Sequence, residues 1–248
     1  MQNAAVDMGR RPIGPGTGQA AERLLAAAEG IVLGPDLNAL SIRAIASAAG
    51  VNSALISYHF GGLEALLARV AELNVAALCD TRTQRMQQAK QVPGKAQRLE
   101  ALVAGFLEPL WQTQAIWHPG PARTVIRALV PRLSAELRRD AVQRINRNLE
   151  EASGPLLQAL PHLDRDTLQV RLQLLAGAAD ELRLRARDLG LFPLRGAVDG
   201  GHEQALQREL LAMSLATLKM KPSVPGNGGQ TDKARSTTLG EPGKRSAR

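Results

Sequence analysis

Residues 41–67 read SIRAIASAAGVNSALISYHFGGLEALL, and this stretch decides the fold. Ile42, Ile45, Ala46 and Ala49 fall at i, i+3, i+4 and i+7, the spacing of the buried stripe of a short helix. Ser41 stands where its hydroxyl can accept from an otherwise unpaired first-turn N–H. Gly50 ends that helix, Val51 supplies an apolar turn residue, and Asn52 is a good N-cap for a second short helix over 53–58. Two short helices across a tight glycine-containing turn fit a helix-turn-helix, whose second helix enters the major groove of DNA. The same spacing fits an ordinary turn between two core helices, so spacing alone leaves both readings open.

The flanks add helices on either side. Residues 1–18 are rich in Gly and Pro, carry Arg10 and Arg11, and read as a flexible arm. A first helix over about 19–33 turns Leu24, Leu25, Ala28, Ile31 and Val32 inward and breaks at Gly34-Pro35. A long helix starts near Gly62 with Leu63, Leu66, Val70, Leu73 and Ala77 on one stripe. It turns polar past Cys79 and ends at Pro93-Gly94.

With these neighbours the stretch resembles the N-terminal DNA-binding domain of the TetR/AcrR family of bacterial transcriptional regulators. The resemblance runs over about 17–77: AAERLLAAAEGIVL as first helix, SIRAIASAAGVN, the closing Tyr58-His59-Phe60, and a following helix that opens with EALL. Its specificity lies in the combination of AxxAGV, HF nine residues beyond Gly50, and an acidic residue with leucines starting a long helix. It implies a DNA operator as partner, a homodimer, and a small apolar ligand bound in the second domain. The family usually has a lysine early in the fourth helix, where Leu63 stands here, and often a tyrosine where this chain has Ser57.

The remainder reads as a second helical domain. A helix over about 95–113 places Leu99, Leu102, Val103, Phe106 and Leu110 inward, and HPGPA at 118–122 is a break. Helices near 122–130 and 132–153 follow, separated by Pro131, the second ended by Gly154-Pro155. Two long helices close the domain. That over 164–189 carries Leu172, Leu175, Ala179, Leu182, Ala186 and Leu189; that over 202–219 carries two stripes, Leu206, Leu210, Met213 and Leu211, Leu215, Leu218. A helix apolar on two sides must be covered on two sides, which predicts a subunit interface at Leu175, Ala179, Leu182, Leu211, Leu215 and Leu218. The expected organisation is all-α: an arm at 1–18, a helix-turn-helix domain at 19–77, a helical regulatory and dimerisation domain at 78–221, and a disordered basic tail at 222–248.

Composition narrows the class. The chain has 248 residues, 44% of them apolar and 2% aromatic, so its core is built from Leu, Ala, Val and Ile. The single cysteine, Cys79, excludes an intramolecular disulfide. No 18-residue apolar run or secretory leader is visible, which makes a cytoplasmic protein without membrane contact the expectation. The net charge of +8 is concentrated at the end: 219–248 contributes 7 − 2 = +5. Residues 19–75 hold Arg23, Arg43 and Arg69 against Glu22, Glu29, Asp36, Glu64 and Glu72, or 3 − 5 = −2. Overall charge therefore gives no argument for DNA binding; the helix-turn-helix pattern carries it alone.

Candidate contacts follow. The second short helix has no Lys, Arg, Asp or Glu, so reading falls to Asn52, Ser53, Ser57, Tyr58 and His59, with Ala54 or Leu55 against a thymine methyl. By the resemblance Tyr58 and His59 match positions that meet the DNA backbone, and Arg43 one that approaches phosphate. Phe60 reads as core. In the second domain Phe106, Trp111 and Trp117, with His118, Arg123 and Arg127 nearby, form a candidate ligand pocket and equally a plain core cluster. No histidine pair has ligand spacing, so neither metal nor cofactor is expected. The chain has no GxSxG, phosphate-binding glycine loop or HExxH, which argues against an enzyme. A helical partner-binding protein that kept the fold without DNA affinity is the alternative.

Overall fold

The computed structural model describes residues 17–184 and 200–222, with side chains described over 18–178 and 204–222. Residues 1–16 of the expected arm, nearly all of the tail, and the side chains of Ala179 and Leu182 lie outside the described residues, and the last two residues of that arm, Thr17 and Gly18, already belong to the first helix. Among the described residues ten α-helices follow in order: α1 (Thr17–Leu33), α2 (Ile42–Ala49), α3 (Ala54–Phe60), α4 (Leu63–Lys90), α5 (Lys95–Leu107), α6 (Pro109–Gln112), α7 (Ala122–Leu129), α8 (Ala135–Ala159), α9 (Arg165–Leu184) and α10 (Gly200–Lys219). The same residues contain no strand, only an isolated bridge between Gln114 and Pro121.

The turn at Gly50 forms as its residues require. Gly50 adopts φ 60°, ψ 42°, a left-handed conformation that a side chain disfavours. The Gly50 N–H donates to the Ser47 carbonyl at 3.0 Å and the Val51 N–H to the Ala46 carbonyl at 3.0 Å, the double closure of a Schellman motif. At the other end of α2 the Ser41 hydroxyl accepts from the Ala44 N–H at 3.2 Å. Ile45, Ala46 and Ala49 are buried as the spacing predicts, but Ile42 is 39% exposed. It is the first residue of α2.

α4 is the axis of the molecule. Its first half packs against α1 and α3, and over its length it meets α5, α7 and α8. The buried face runs through Leu66, Val70, Asn74, Leu78, Arg82 and Met86, whereas Leu63, Leu73 and Ala77 are only half-buried. The polar sequence past Cys79 thus does not leave the core. Buried apolar residues from Leu24 to Leu218 form a single contiguous cluster.

Two boundaries differ from expectation. The helix over 95–113 is divided at Glu108-Pro109 into α5 and α6. α8 does not end at Gly154-Pro155 but continues to Ala159 with Pro155 inside it. Ala152 and Leu156, one turn apart, are both buried, so tertiary packing holds the helix through the lost N–H. Gly105 lets α5 lie close on α4, since a Cβ there would stand 3.3 Å from the Arg85 carbonyl group. Gly105→Leu is expected to cost about 1–3 kcal/mol by overpacking, measured as a lower urea midpoint at unchanged slope.

Candidate functional site

The outward face of α3 is polar and short. Ile56 is fully buried, and Leu55 and Phe60 pack partly against the core. That places Ser53, Ala54, Ser57 and Tyr58 outward, all exposed, with Tyr58 65% exposed. Leu55 is turned inward and leaves Ala54 as the apolar group on this face. Asn52 is exposed, and its Oδ1 accepts from the Ala54 N–H at 2.8 Å, so it caps the helix with one side of its amide. His59 is half-buried beside Tyr58, ring centroids 5.0 Å apart, and its Nε2 is enclosed without a hydrogen-bond partner. Arg43 is exposed on α2.

Three of the five carboxylates of residues 19–75 are engaged elsewhere. Glu72 pairs with Arg69 at 2.7 Å, and the Glu64 carboxylate accepts from the Ser134 N–H at 2.6 Å. Glu29 is fully buried. The face around α3 therefore carries none of these three carboxylates.

Glu29 is the residue that sequence reasoning missed. Its Oε1 accepts from the backbone N–H groups of Trp117 at 2.7 Å and His118 at 3.0 Å. Its Oε2 accepts from the Ile116 N–H at 3.1 Å and from Asn74 Nδ2 at 2.9 Å. The turn that supplies the three N–H groups is closed by the Ala115 N–H donating to the Gly120 carbonyl at 2.7 Å and the Ala122 N–H to the Thr113 carbonyl at 2.9 Å. One carboxylate thus ties α1 of the helix-turn-helix unit to α4 and to the turn that leads into α7. The signal was present: Glu29 falls in phase with Leu25 and Val32 on the inward side of α1.

These contacts separate the residues expected to share one pocket. Trp117 and His118 serve the clamp on Glu29, and neither they nor Trp111, which is buried in α6, line the large cavity. That cavity, about 710 Å³, lies between α4, α5, α6, α7, α8 and α9. Of the expected residues Phe106, Arg123 and Arg127 line it. Arg82, which the sequence hid inside a polar run, lines it too. Arg82 belongs to a buried polar network: its Nη1 donates to Asn148 Oδ1 at 2.8 Å, and Asn148 Nδ2 donates to the Cys79 carbonyl at 3.1 Å. Cys79 is also buried, and that burial pushes its thiol pKa up. Among the described residues no group of three or more His, Cys, Asp or Glu could hold a metal ion.

The closing helices are turned relative to the expected stripes. Leu175 on α9 and Leu218 on α10 are buried in the chain's own core, so they are not available to a second subunit. Leu211 and Leu215 are half-buried against that core. Among the described side chains of α9 and α10, the large apolar ones left outward are Val170 and Leu174, 55% and 68% exposed, and Met213, 58% exposed. The inward stripe of α10 is instead Leu210, Ser214 and Leu218, one residue in each turn.

Residues 20–70 match the model of the family described as bacterial regulatory proteins, tetR family. A search of curated proteins returns no match. Among solved structures, a TetR-family transcriptional regulator from Bordetella parapertussis 12822 is 18% identical with a TM-score of 0.55, covering 81% of this chain and 94% of that one. The TetR-family transcriptional regulator PfmR from Thermus thermophilus is 17% identical with a TM-score of 0.52, covering 78% and 97%. Superantigen PfiT gives 20% and 0.52 over 79% and 95%. At these identities the likeness concerns the fold, and function has to be argued from the site.

Removing the clamp tests its weight. Glu29→Ala leaves three backbone donors and the Asn74 amide facing an apolar gap and is expected to cost about 3 kcal/mol or more in urea unfolding. Glu29→Gln, which keeps the shape but presents a donor to N–H groups, should fall between the two.

Proposed function

We propose that this chain, which carries a tetR-family N-terminal domain on a TetR-like fold, is a ligand-responsive transcriptional regulator, most simply a repressor. It binds a palindromic operator as a cytoplasmic homodimer, with residues 19–77 reading DNA and 78–221 supplying ligand binding and dimerisation. The observation that carries the reading is the helix-turn-helix itself: α2 and α3 joined through a left-handed Gly50, with an exposed polar face at Ser53, Ser57 and Tyr58. Such a helix is short enough, and its outward side chains small enough, to lie in a major groove.

The alternative of a partner-binding protein without DNA affinity rests on the acidic balance of residues 19–75. Glu29, Glu64 and Glu72 are each engaged away from α3, which weakens that argument. Catalysis is no part of this reading. Among the described residues no helix is long and apolar enough to cross a membrane.

Dimerisation is expected through the outward side of α9 and α10, where Val170, Leu174 and Met213 stand exposed. Leu174→Glu should convert a dimer to a folded monomer in light scattering, while Leu218→Glu, aimed at the chain's own core, should unfold it. A Leu174→Glu protein that remains dimeric would place the interface elsewhere.

Selection of duplexes from a random pool tests DNA reading. The enriched sequence should be two inverted half-sites bound in successive major grooves. Tyr58→Ala should weaken binding to that duplex by about 1–2 kcal/mol, roughly ten-fold, with little change in stability because the ring is exposed. Arg43→Ala should lower affinity across sequences and flatten the salt dependence. A pool that yields no enriched sequence would contradict the reading.

A further inference from the structure

α3 presents no lysine or arginine to a groove. Between residues 17 and 60 the only two such residues are Arg23 and Arg43, and neither stands on α3. Arg23, on α1, donates from Nη2 to the Gly50 carbonyl at 3.3 Å, and Arg43 lies in the first turn of α2. A bidentate arginine or lysine on O6 and N7 is the commonest specific contact to guanine. The second short helix cannot make it.

Packing withdraws two other readers. Leu55 is turned against the core. Asn52 accepts from the Ala54 N–H on its Oδ1 at 2.8 Å, which turns the amide back onto its own helix. The paired contact of an asparagine with adenine uses that oxygen and the amide nitrogen together. What remains outward is Ala54, Ser57 and Tyr58, at i, i+3 and i+4 and therefore on one face, each of them exposed. The Ser57 hydroxyl can donate or accept, so it suits any base edge. The Tyr58 hydroxyl can do the same at a phosphate and orient the helix without reading sequence. The Ala54 methyl is selective. Its complement in the major groove is the C5 methyl of thymine, which an unmodified G·C pair does not carry.

We propose that each half-site is selected chiefly through a thymine whose C5 methyl packs against Ala54, so that the specificity of α3 lies in A·T pairs. This deepens the regulatory reading and rests on it for the claim that α3 enters the major groove. A G·C pair in the same place would set the Ala54 methyl against the cytosine N4 amino group or the guanine O6, polar groups that a methyl desolvates without bonding.

The test uses the full chain and a duplex enriched by selection, with each thymine replaced in turn by deoxyuridine, which lacks only the C5 methyl. At one thymine of the half-site the replacement should weaken binding about four-fold when made once and about fifteen-fold when made in both half-sites, the loss of one and of two buried methyl contacts. Ala54→Gly deletes only an exposed methyl at the start of α3, so the chain should still fold. It should bind the thymine and deoxyuridine duplexes within about two-fold of each other at that position, because the partner methyl is gone. An enriched duplex indifferent to every thymine methyl would overturn the proposal. So would a half-site whose strongest discrimination is for guanine, or a deoxyuridine loss that persists unchanged in Ala54→Gly. Each of these leaves specific DNA binding intact and removes only the base class. A chain that enriches no duplex loses the regulatory reading and this inference with it.

Discussion

A fully buried carboxylate must be matched by donors or it destabilises the fold by several kcal/mol, and Glu29 is matched by four. Those donors come from two places far apart in sequence, Asn74 on α4 and the turn 116–118. None can withdraw without leaving charge uncompensated in a low-dielectric interior, where the electrostatic penalty is largest. The consequence is geometric. α1, which forms the base of the helix-turn-helix unit, cannot rotate independently of the turn that starts α7. α4 fixes the same relation by a second route, since it runs unbroken from Leu63 to Lys90. The orientation of α3 is set by both.

This arrangement gives a physical path between the cavity and the α3 face. α7 forms part of the cavity wall through Arg123, Ile126 and Arg127, and Ala122 at its start is only four residues from His118 in the clamp. α4 forms another part through Leu78 and Arg82 and carries Asn74 one turn before Leu78. On the proposed reading, a ligand changes DNA affinity only as far as it prefers one arrangement of these two elements over another.

Much of the fold was legible because it depends on local chemistry. The Ser41 cap, the Gly50 turn, the break at Gly34-Pro35 and the inward faces of α1 and α5 follow from residues within a few positions of each other. What was not legible depends on distant partners. The helix phase places Glu29 inward, but what Glu29 and Arg82 bind could not be read, because their hydrogen-bonding groups lie 45 to 89 and 24 to 66 residues away. Pro155 reads as a helix end because the packing of Ala152 and Leu156 that overrides it is tertiary. The α9 and α10 stripes were identified as apolar, but the side that faces the core is decided by neighbours, which left Val170, Leu174 and Met213 outward instead of Leu175 and Leu218. On α3 the outward side chains follow from the helix phase, whereas of the residues grouped around the tryptophans only Phe106, Arg123 and Arg127 line the cavity, because the contacts that separate them are tertiary.

The central claim is that the two halves of the molecule are locked together at Glu29. Native-state hydrogen exchange of the Ile116, Trp117 and His118 amides measures that lock directly, since each N–H is bonded to the carboxylate rather than to solvent. The account predicts that all three exchange together and as slowly as the buried amides of α4 around Asn74. Exchange of these three amides at the rate of an ordinary exposed turn, while α4 remains protected, would contradict it.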